Sequence, residues 1–194
     1  MRSMLEVYIK DAKNFQKFGQ YDLAIEALEQ AQKIDSQHQF EVEIQKLLSF
    51  NYRKLGNFSL ALLHINNAIN LALSPKTAEK ADEEYAVCLM NKGVIYEELG
   101  DSATAIKCYL PALKILIDLF NSTPEKFGII INAFLTIGLL YYNQKQYSKT
   151  KDYFEQALPY FGVGKESDRR YISIIEILRE IKNRELIEEH SEQE

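Results

Sequence analysis

The feature that most constrains this chain is a set of five positions that occurs four times with unchanged internal spacing. An aromatic residue is followed by a turn residue four positions later, a small residue nine positions later, and then a bulky residue and an Ala. Such self-similarity predicts a protein built from stacked structural repeats. The four copies read Phe15, Gly19, Ala24, Leu28 and Ala31; Tyr52, Gly56, Ala61, Ile65 and Ala68; Tyr96, Gly100, Ala105, Tyr109 and Ala112; and Tyr141, Lys145, Thr150, Phe154 and Ala157.

Each position of this pattern has a physical reason in a pair of antiparallel helices. The Gly at the second position can adopt the left-handed backbone conformation that commonly ends a helix, so it predicts a turn. The small residue at the third position lets the two helices approach closely, with the aromatic residue on the facing helix. In the fourth copy Lys145 stands at the turn, and a side chain there makes the left-handed conformation costly.

The first helix of the fourth copy also resembles the opening motif of the tetratricopeptide-repeat family, W-x-x-L-G-x-x-Y. Phe134, Ile137, Gly138 and Tyr141 stand at these positions, and the Trp is missing from all copies. The resemblance implies an all-α fold: a right-handed superhelical array of about four antiparallel helix hairpins. The looser matches are Tyr8, Asp11, Ala12 and Phe15; Gln45, Leu48, Ser49 and Tyr52; and Leu89, Lys92, Gly93 and Tyr96.

The repeats are longer than those of the family's usual members. The third positions of successive copies are 37, 44 and 45 residues apart, against about 34 in the family. The extra residues fall between hairpins, where Ser74-Pro75 and Thr123-Pro124 favour helix starts. Such stretched repeats are similar to those of kinesin light chains and bacterial peptide-sensing regulators. We predict four repeats and a C-terminal segment, with boundaries at 1–37, 38–75, 76–121, 122–162 and 163–194.

The C-terminal segment predicts one further, unpaired helix. Gly162 and Gly164 break the chain, and Ser167 or Asp168 can cap the helix that follows. Apolar residues at helical spacing predict that this helix caps the last repeat, although it could instead enter the binding groove or pair with a second copy. Beyond Lys182 we expect an acidic, frayed tail. The apolar stripe consists of Tyr171, Ile174, Ile175, Leu178 and Ile181.

The family resemblance implies a peptide-binding groove on the concave side, lined by the first helix of each hairpin. Counting the family's positions onto this chain gives a groove that is basic at its start and mainly apolar at its end. We therefore expect a protein or peptide partner with acidic and apolar residues, and the apolar positions could alternatively serve internal packing. The predicted groove residues are Lys13, Lys46, Phe50, Arg53, Met90, Asn91, Val94, Asn132, Leu135, Leu139 and Tyr142.

Composition argues against several other classes of protein. A net charge of −5 disfavours nucleic acid and anionic membranes as partners. The apolar run from Phe127 to Tyr142 is shorter than the roughly 20 residues of a membrane span, so we expect a buried helix. The three histidines lack the neighbours of a metal site, and no phosphate loop or nucleophile motif occurs. We predict a cytoplasmic protein without catalytic residues, metal or cofactor.

The sequence thus favours a protein- or peptide-binding adaptor. Two alternatives stay open, namely a self-associating structural subunit, which would be a homo-oligomer, and a regulatory peptide sensor.

Overall fold

The computed structural model describes residues 3–35, 40–73, 81–121 and 123–191. This part of the chain is helical, and the predicted all-α fold is confirmed. The Ser74-Pro75 helix start and His38 lie outside the described residues. The α-helices are α1 (Met4–Lys17), α2 (Tyr21–Ile34), α3 (Glu41–Lys54), α4 (Phe58–Ala72), α5 (Ala81–Glu98), α6 (Ser102–Phe120), α7 (Phe127–Asn143), α8 (Tyr147–Ala157) and α9 (Arg169–Ser191).

The chain divides into two compact units, residues 1–112 and 113–194. Helix α6 belongs to both, and the division follows Pro111, a proline in the interior of this helix. Proline cannot donate the backbone hydrogen bond that continues a helix, so the helical ladder is interrupted beside the boundary.

All four turns between the paired helices have the same backbone hydrogen bonds. The carbonyl of the aromatic residue that opens the pattern accepts the N–H five residues later, from Gln20, Asn57, Asp101 and Gln146, at 2.8–2.9 Å. This is the bond of a Schellman motif, which requires a left-handed residue after the helix. Gly19, Gly56 and Gly100 have φ of 71°, 75° and 79°, and Lys145 has φ of 59°. The predicted turns, including the left-handed conformation of Lys145, are confirmed.

The third, fourth and fifth positions of the pattern form the core of each hairpin. All twelve of these residues, from Ala24, Leu28 and Ala31 to Thr150, Phe154 and Ala157, are 0% exposed. In unit 1, one core cluster joins α1 and α2 to Ile44 and Leu48 of α3. A second joins α4 to Cys88 and Ile95 of α5. Each of the first two hairpins is therefore closed by the first helix of the next repeat.

The closest approach within a hairpin is a contact between a glycine and an aromatic ring. A Cβ added to Gly93 would lie 2.3 Å from Cε1 of Tyr109, and one added to Gly138 would lie 2.3 Å from Cε1 of Phe154. In the first two repeats the glycine is replaced by Ala12 or Ser49 and the ring by an aliphatic side chain. The small residue is therefore smallest where its neighbour is largest.

Unit 2 consists of the α7–α8 hairpin, the C-terminal half of α6, and α9. Asp168 accepts the N–H of Arg170 at 2.8 Å at the start of α9, as predicted. Ile174 and Ile181 are 0% and 1% exposed, which confirms the capping helix. The prediction of a frayed tail beyond Lys182 is wrong, because α9 continues to Ser191. Its last turns are rich in Glu, Arg and Leu, which have high helix propensity.

Helix α7 consists mainly of apolar residues. With the 3-10 turn before it, Pro124–Asn143 has 20 residues and a mean hydropathy of 1.2, so among the described residues this one segment could cross a membrane by length and composition. This segment is longer than the apolar run Phe127–Tyr142 because it includes the 3-10 turn and Asn143. Eight residues of α7, Ile130 and Phe134 among them, are buried in unit 2, as expected of a buried helix.

We predict that Gly138→Ala destabilises the protein. The added methyl group overpacks against the ring of Phe154, which is fully buried. Overpacking costs about 1–3 kcal/mol, and this cost outweighs the gain of roughly 1 kcal/mol in helix propensity. Gly162→Ala is the control, because nothing lies within 4 Å of its added Cβ. Urea unfolding of both variants tests this, and equal midpoints would contradict the close approach.

We expect Lys145→Gly to stabilise the protein. Glycine removes the left-handed strain at this turn, and after the greater entropy of the unfolded chain is subtracted the gain is about 0.5–1 kcal/mol. Gln144, the preceding residue, has φ of −85°, so Gln144→Gly should lower the unfolding free energy instead. If thermal unfolding gives both variants the same sign, the turn does not carry this strain.

Candidate functional site

Most of the predicted groove residues of unit 1 lie around one small cavity between α3 and α5. Its volume is about 40 Å³, and its lining also includes Ser49 and Ile95. The prediction thus selected neighbouring residues from two different helices. The predicted residues in this lining are Lys46, Phe50, Arg53, Asn91 and Val94.

Phe50 is the central apolar side chain of this cavity and is 37% exposed. The ring of Tyr21, on α2, meets it edge-on with centroids 6.3 Å apart. Arg53 Cζ and Lys54 Nζ lie 5.2 and 5.7 Å from the centroid of its ring. Phe50 is therefore held by aromatic and cation–π contacts while part of the ring stays open to solvent.

The basic residues of the predicted groove are already paired with carboxylates of the same chain. Lys13 Nζ lies 2.6 Å from Glu43. Lys46 is paired with Glu84 and Arg53 with Glu98. Each pair joins the first helix of one repeat to the first helix of the next.

Burial makes two of these pairs more than surface contacts. The side chains of Arg53 and Lys46 are 12% and 18% exposed, against 48% for Lys13. Removing one partner of a poorly solvated pair leaves an uncompensated charge, which is costly. An acidic partner would have to displace Glu84 or Glu98 from these cations, so the structure does not support the expectation that they are free for an acidic ligand.

A wider cleft lies between α1 and α3. It has a volume of about 320 Å³ and includes Ile9, Lys13 and Phe40 in its lining. Sequence reasoning did not select Phe40, because this residue precedes α3 and so has no place in the repeating pattern of the first helices. Met90, also predicted, is half-buried on α5.

In unit 2, helix α9 covers part of the predicted binding face of α7. Asn132 Oδ1 accepts a hydrogen bond from Arg170 at 3.0 Å. The hydroxyl of Tyr142 donates to Glu180 at 2.7 Å. Leu135 and Leu139 are half-buried. The capping helix thus engages two of the four residues predicted to bind a partner here, and the apolar end of the predicted groove is partly occupied.

A buried polar cluster in repeat 2 replaces the Trp of the family motif. Gln45 stands at the Trp position and is 3% exposed, and its Oε1 lies 2.8 Å from Nδ1 of His64. The ring of Tyr52 stacks on that of His64 with centroids 5.2 Å apart. Burial lowers the pKa of His64, partly offset by Glu29, which raises it. The imidazole is therefore held in its neutral form at neutral pH.

The chemistry of a metal or nucleophilic site is lacking in the part of the chain that the structure describes. No group of three or more His, Cys, Asp or Glu side chains there could hold a metal ion. Cys88 and Cys108 are buried, and burial raises the pKa of Cys88 to about 12. A thiol with such a pKa is a poor nucleophile at neutral pH.

Comparison with known proteins bears on the fold. The sequence model of the tetratricopeptide repeat matches residues 5–38, 86–115 and 131–158. None of these segments includes the α3–α4 hairpin, where Gln45 replaces the family's Trp. Tetratricopeptide repeat protein 6 of Homo sapiens is 25% identical over 80% of this chain. The chain spans only 32% of the length of that relative.

Two solved structures have a similar fold. A putative kinesin light chain from Podosopora anserina, with nearly identical TPR-like repeats, is 14% identical, covering 100% of this chain and 92% of its own, with a TM-score of 0.67. The apo form of RapI is 16% identical, covering 94% of this chain and 64% of its own, with a TM-score of 0.75. The predicted resemblance to stretched-repeat proteins is confirmed.

The lowered pKa of His64 predicts a loss of stability in mild acid. The ordinary pKa of this group is 6.5. Below that pH the imidazole is protonated in the unfolded chain but stays neutral in the folded chain, so the unfolding free energy decreases as the pH is lowered. His64→Gln should flatten this dependence between pH 7 and about 5.5, above the range in which carboxylates titrate. Urea unfolding at both pH values decides the matter; equal slopes in wild type and variant would exclude His64 as the cause.

Proposed function

We propose that this chain, three segments of which match the tetratricopeptide repeat, is a non-catalytic adaptor that binds a segment of another protein on the first-helix face of unit 1. The carrying observation is Phe50. Its ring is held in place by Tyr21 and Arg53, and the residue is still 37% exposed beside a cavity between two repeats. A fixed, partly open aromatic residue in a concave site is typical of an interaction hot spot.

The surroundings of Phe50 indicate the chemistry of the partner. Val94, which is half-buried, supplies apolar surface on the α5 side. Asn91, which is exposed in the same lining, carries an amide that can both donate to and accept from a peptide backbone. We infer that an apolar or aromatic side chain of the partner packs on Phe50 while its backbone meets Asn91.

The ion pairs set a limit on the charge of this partner. Lys46 and Arg53 border the cavity and are neutralised by Glu84 and Glu98. A strongly acidic segment would therefore gain little attraction at this position and would meet the two carboxylates. The proposed ligand is an apolar segment of low net charge, and the acidic preference expected from the sequence is not part of the proposal.

Self-association is the second candidate, and one observation favours it. Met4, Val7 and Phe18 on the first hairpin are 64%, 36% and 79% exposed. The residue 37 positions after Val7 is Ile44, which is fully buried against the first repeat. The first hairpin thus carries accessible apolar surface on which a second copy could pack.

We predict that Phe50→Ala weakens peptide binding about thirtyfold, since truncating a hot-spot aromatic residue costs about 2 kcal/mol. Peptides would be selected from a displayed random library against the intact chain and their affinities measured by fluorescence anisotropy.

Leu110→Ala is the matched control for this experiment, because Leu110 is also 37% exposed but lies on the second helix of its hairpin. It should bind the selected peptides as wild type does. Circular dichroism must first show that both variants are folded. Equal affinities of the two variants would rule out the Phe50 site.

Self-association would be tested by light scattering. A dimer that dissociates in the Phe18→Asp variant would support this second candidate.

A further inference from the structure

Four side chains of unit 2 form a compact cluster where α7, α8 and α9 come together. The rings of Tyr142 and Tyr147 lie on either side of the α7–α8 turn with centroids 5.8 Å apart. Tyr142 donates its hydroxyl proton to one oxygen of Glu180 at 2.7 Å. Arg184 donates to the other oxygen of Glu180 through Nε at 3.0 Å and a terminal nitrogen at 2.7 Å. Its guanidinium carbon lies 5.5 Å from the Tyr147 ring centroid.

The two tyrosines of the cluster are half-buried, and Tyr147 begins α8 directly after the turn. The side chains of Glu180 and Arg184 are 43% and 50% exposed. Glu180 is followed by Ile181, which is 1% exposed, whereas residues 182–187 are all exposed. Glu180 therefore lies on the last packed turn of α9, and Arg184 reaches the two tyrosines and the carboxylate from an unpacked part of the helix.

The two tyrosines and the carboxylate have the chemistry of a cation-binding site. The hydrogen bonds from Tyr142 and then Arg184 lower the pKa of Glu180, so this carboxylate is ionised at neutral pH. An aromatic face next to a carboxylate binds cationic side chains. Two N–H groups of Arg184 donate to the same carboxylate oxygen, and its planar guanidinium group contacts the Tyr147 ring. An ammonium group has neither paired N–H donors nor a planar face, so the site favours guanidinium.

We propose that Tyr142, Tyr147 and Glu180 form a binding site for an arginine side chain of a partner protein, which Arg184 occupies in the free chain. An i,i+4 ion pair on a helix surface favours the paired state only about twofold, so an arginine of a partner can displace Arg184. Binding would exchange one guanidinium for another and leave the hydrogen bond between Tyr142 and Glu180 intact. This site lies within unit 2 and does not depend on the Phe50 site, so each can fail alone.

The test compares wild type with Arg184→Gln in the intact chain, using N-acetyl-arginine amide as the probe. The shifts of the Tyr ring resonances in NMR titrations report binding. The resident ion pair favours the occupied state only about twofold, so removing it should tighten the apparent affinity by about threefold. Glutamine keeps the helix propensity of the position, and circular dichroism checks that α9 persists.

Two controls make the result specific. N-acetyl-citrulline amide, which has the shape of the probe without its charge, should not bind Arg184→Gln. The double variant Arg184→Gln, Tyr147→Leu should lose the gain in affinity for the arginine probe. The proposal is overturned if Arg184→Gln binds the arginine probe no better than wild type. It is also overturned if N-acetyl-citrulline amide or N-acetyl-lysine amide binds this variant as tightly as the arginine probe does, or if adding Tyr147→Leu leaves the gain in affinity unchanged.

Discussion

The structure depends on one contact in each hairpin, where a small residue of the first helix lies against a bulky residue of the second. In the third and fourth repeats the small residue is Gly93 or Gly138, with the ring of Tyr109 or Phe154 against its Cα. In the second repeat the helices approach so closely that the Ser49 hydroxyl donates to the carbonyl of Ala61 at 2.8 Å. Because interiors are close-packed, a change of one methyl group at this position is felt throughout the hairpin. The buried alanines and the Schellman turns follow from the same register.

Stacking of the hairpins determines which side chains remain for a partner. The first helices of successive repeats in unit 1 are linked by Lys13–Glu43, Lys46–Glu84 and Arg53–Glu98. These pairs use charges that a single-helix pattern would assign to ligand binding. In unit 2 the capping helix does the same with Asn132 and Tyr142. The predicted groove residues without such a partner are mainly apolar or aromatic, and Phe50 is one of them. This favours recognition by packing over recognition by charge.

The parts of the fold that depend on short spacing could be predicted from the sequence. The turn at Lys145, the buried alanines and the capping role of α9 all follow from residues a few positions apart. The clustering of Phe50, Arg53 and Asn91 was also predictable, because the family motif fixes the register of each first helix. The ion pairs could not be predicted, because Glu84 and Glu98 lie one repeat later in the chain. Their position along the axis of α3 depends on the segment between the repeats, whose length varies. The tail was misjudged because charge was taken as a sign of fraying, although Glu and Arg are good helix formers.

A double-mutant cycle between Gly138 and Phe154 tests most directly whether the hairpin register rests on the fit of small and bulky residues. The free energies of unfolding would be measured in urea for wild type, Gly138→Ala, Phe154→Leu and the double variant. The leucine leaves space for the added methyl group, so the alanine should cost less in its presence, with a coupling energy of about 1 kcal/mol or more. Strictly additive effects would show that the two side chains do not interact at the closest approach, and the explanation of the repeat given above would be wrong.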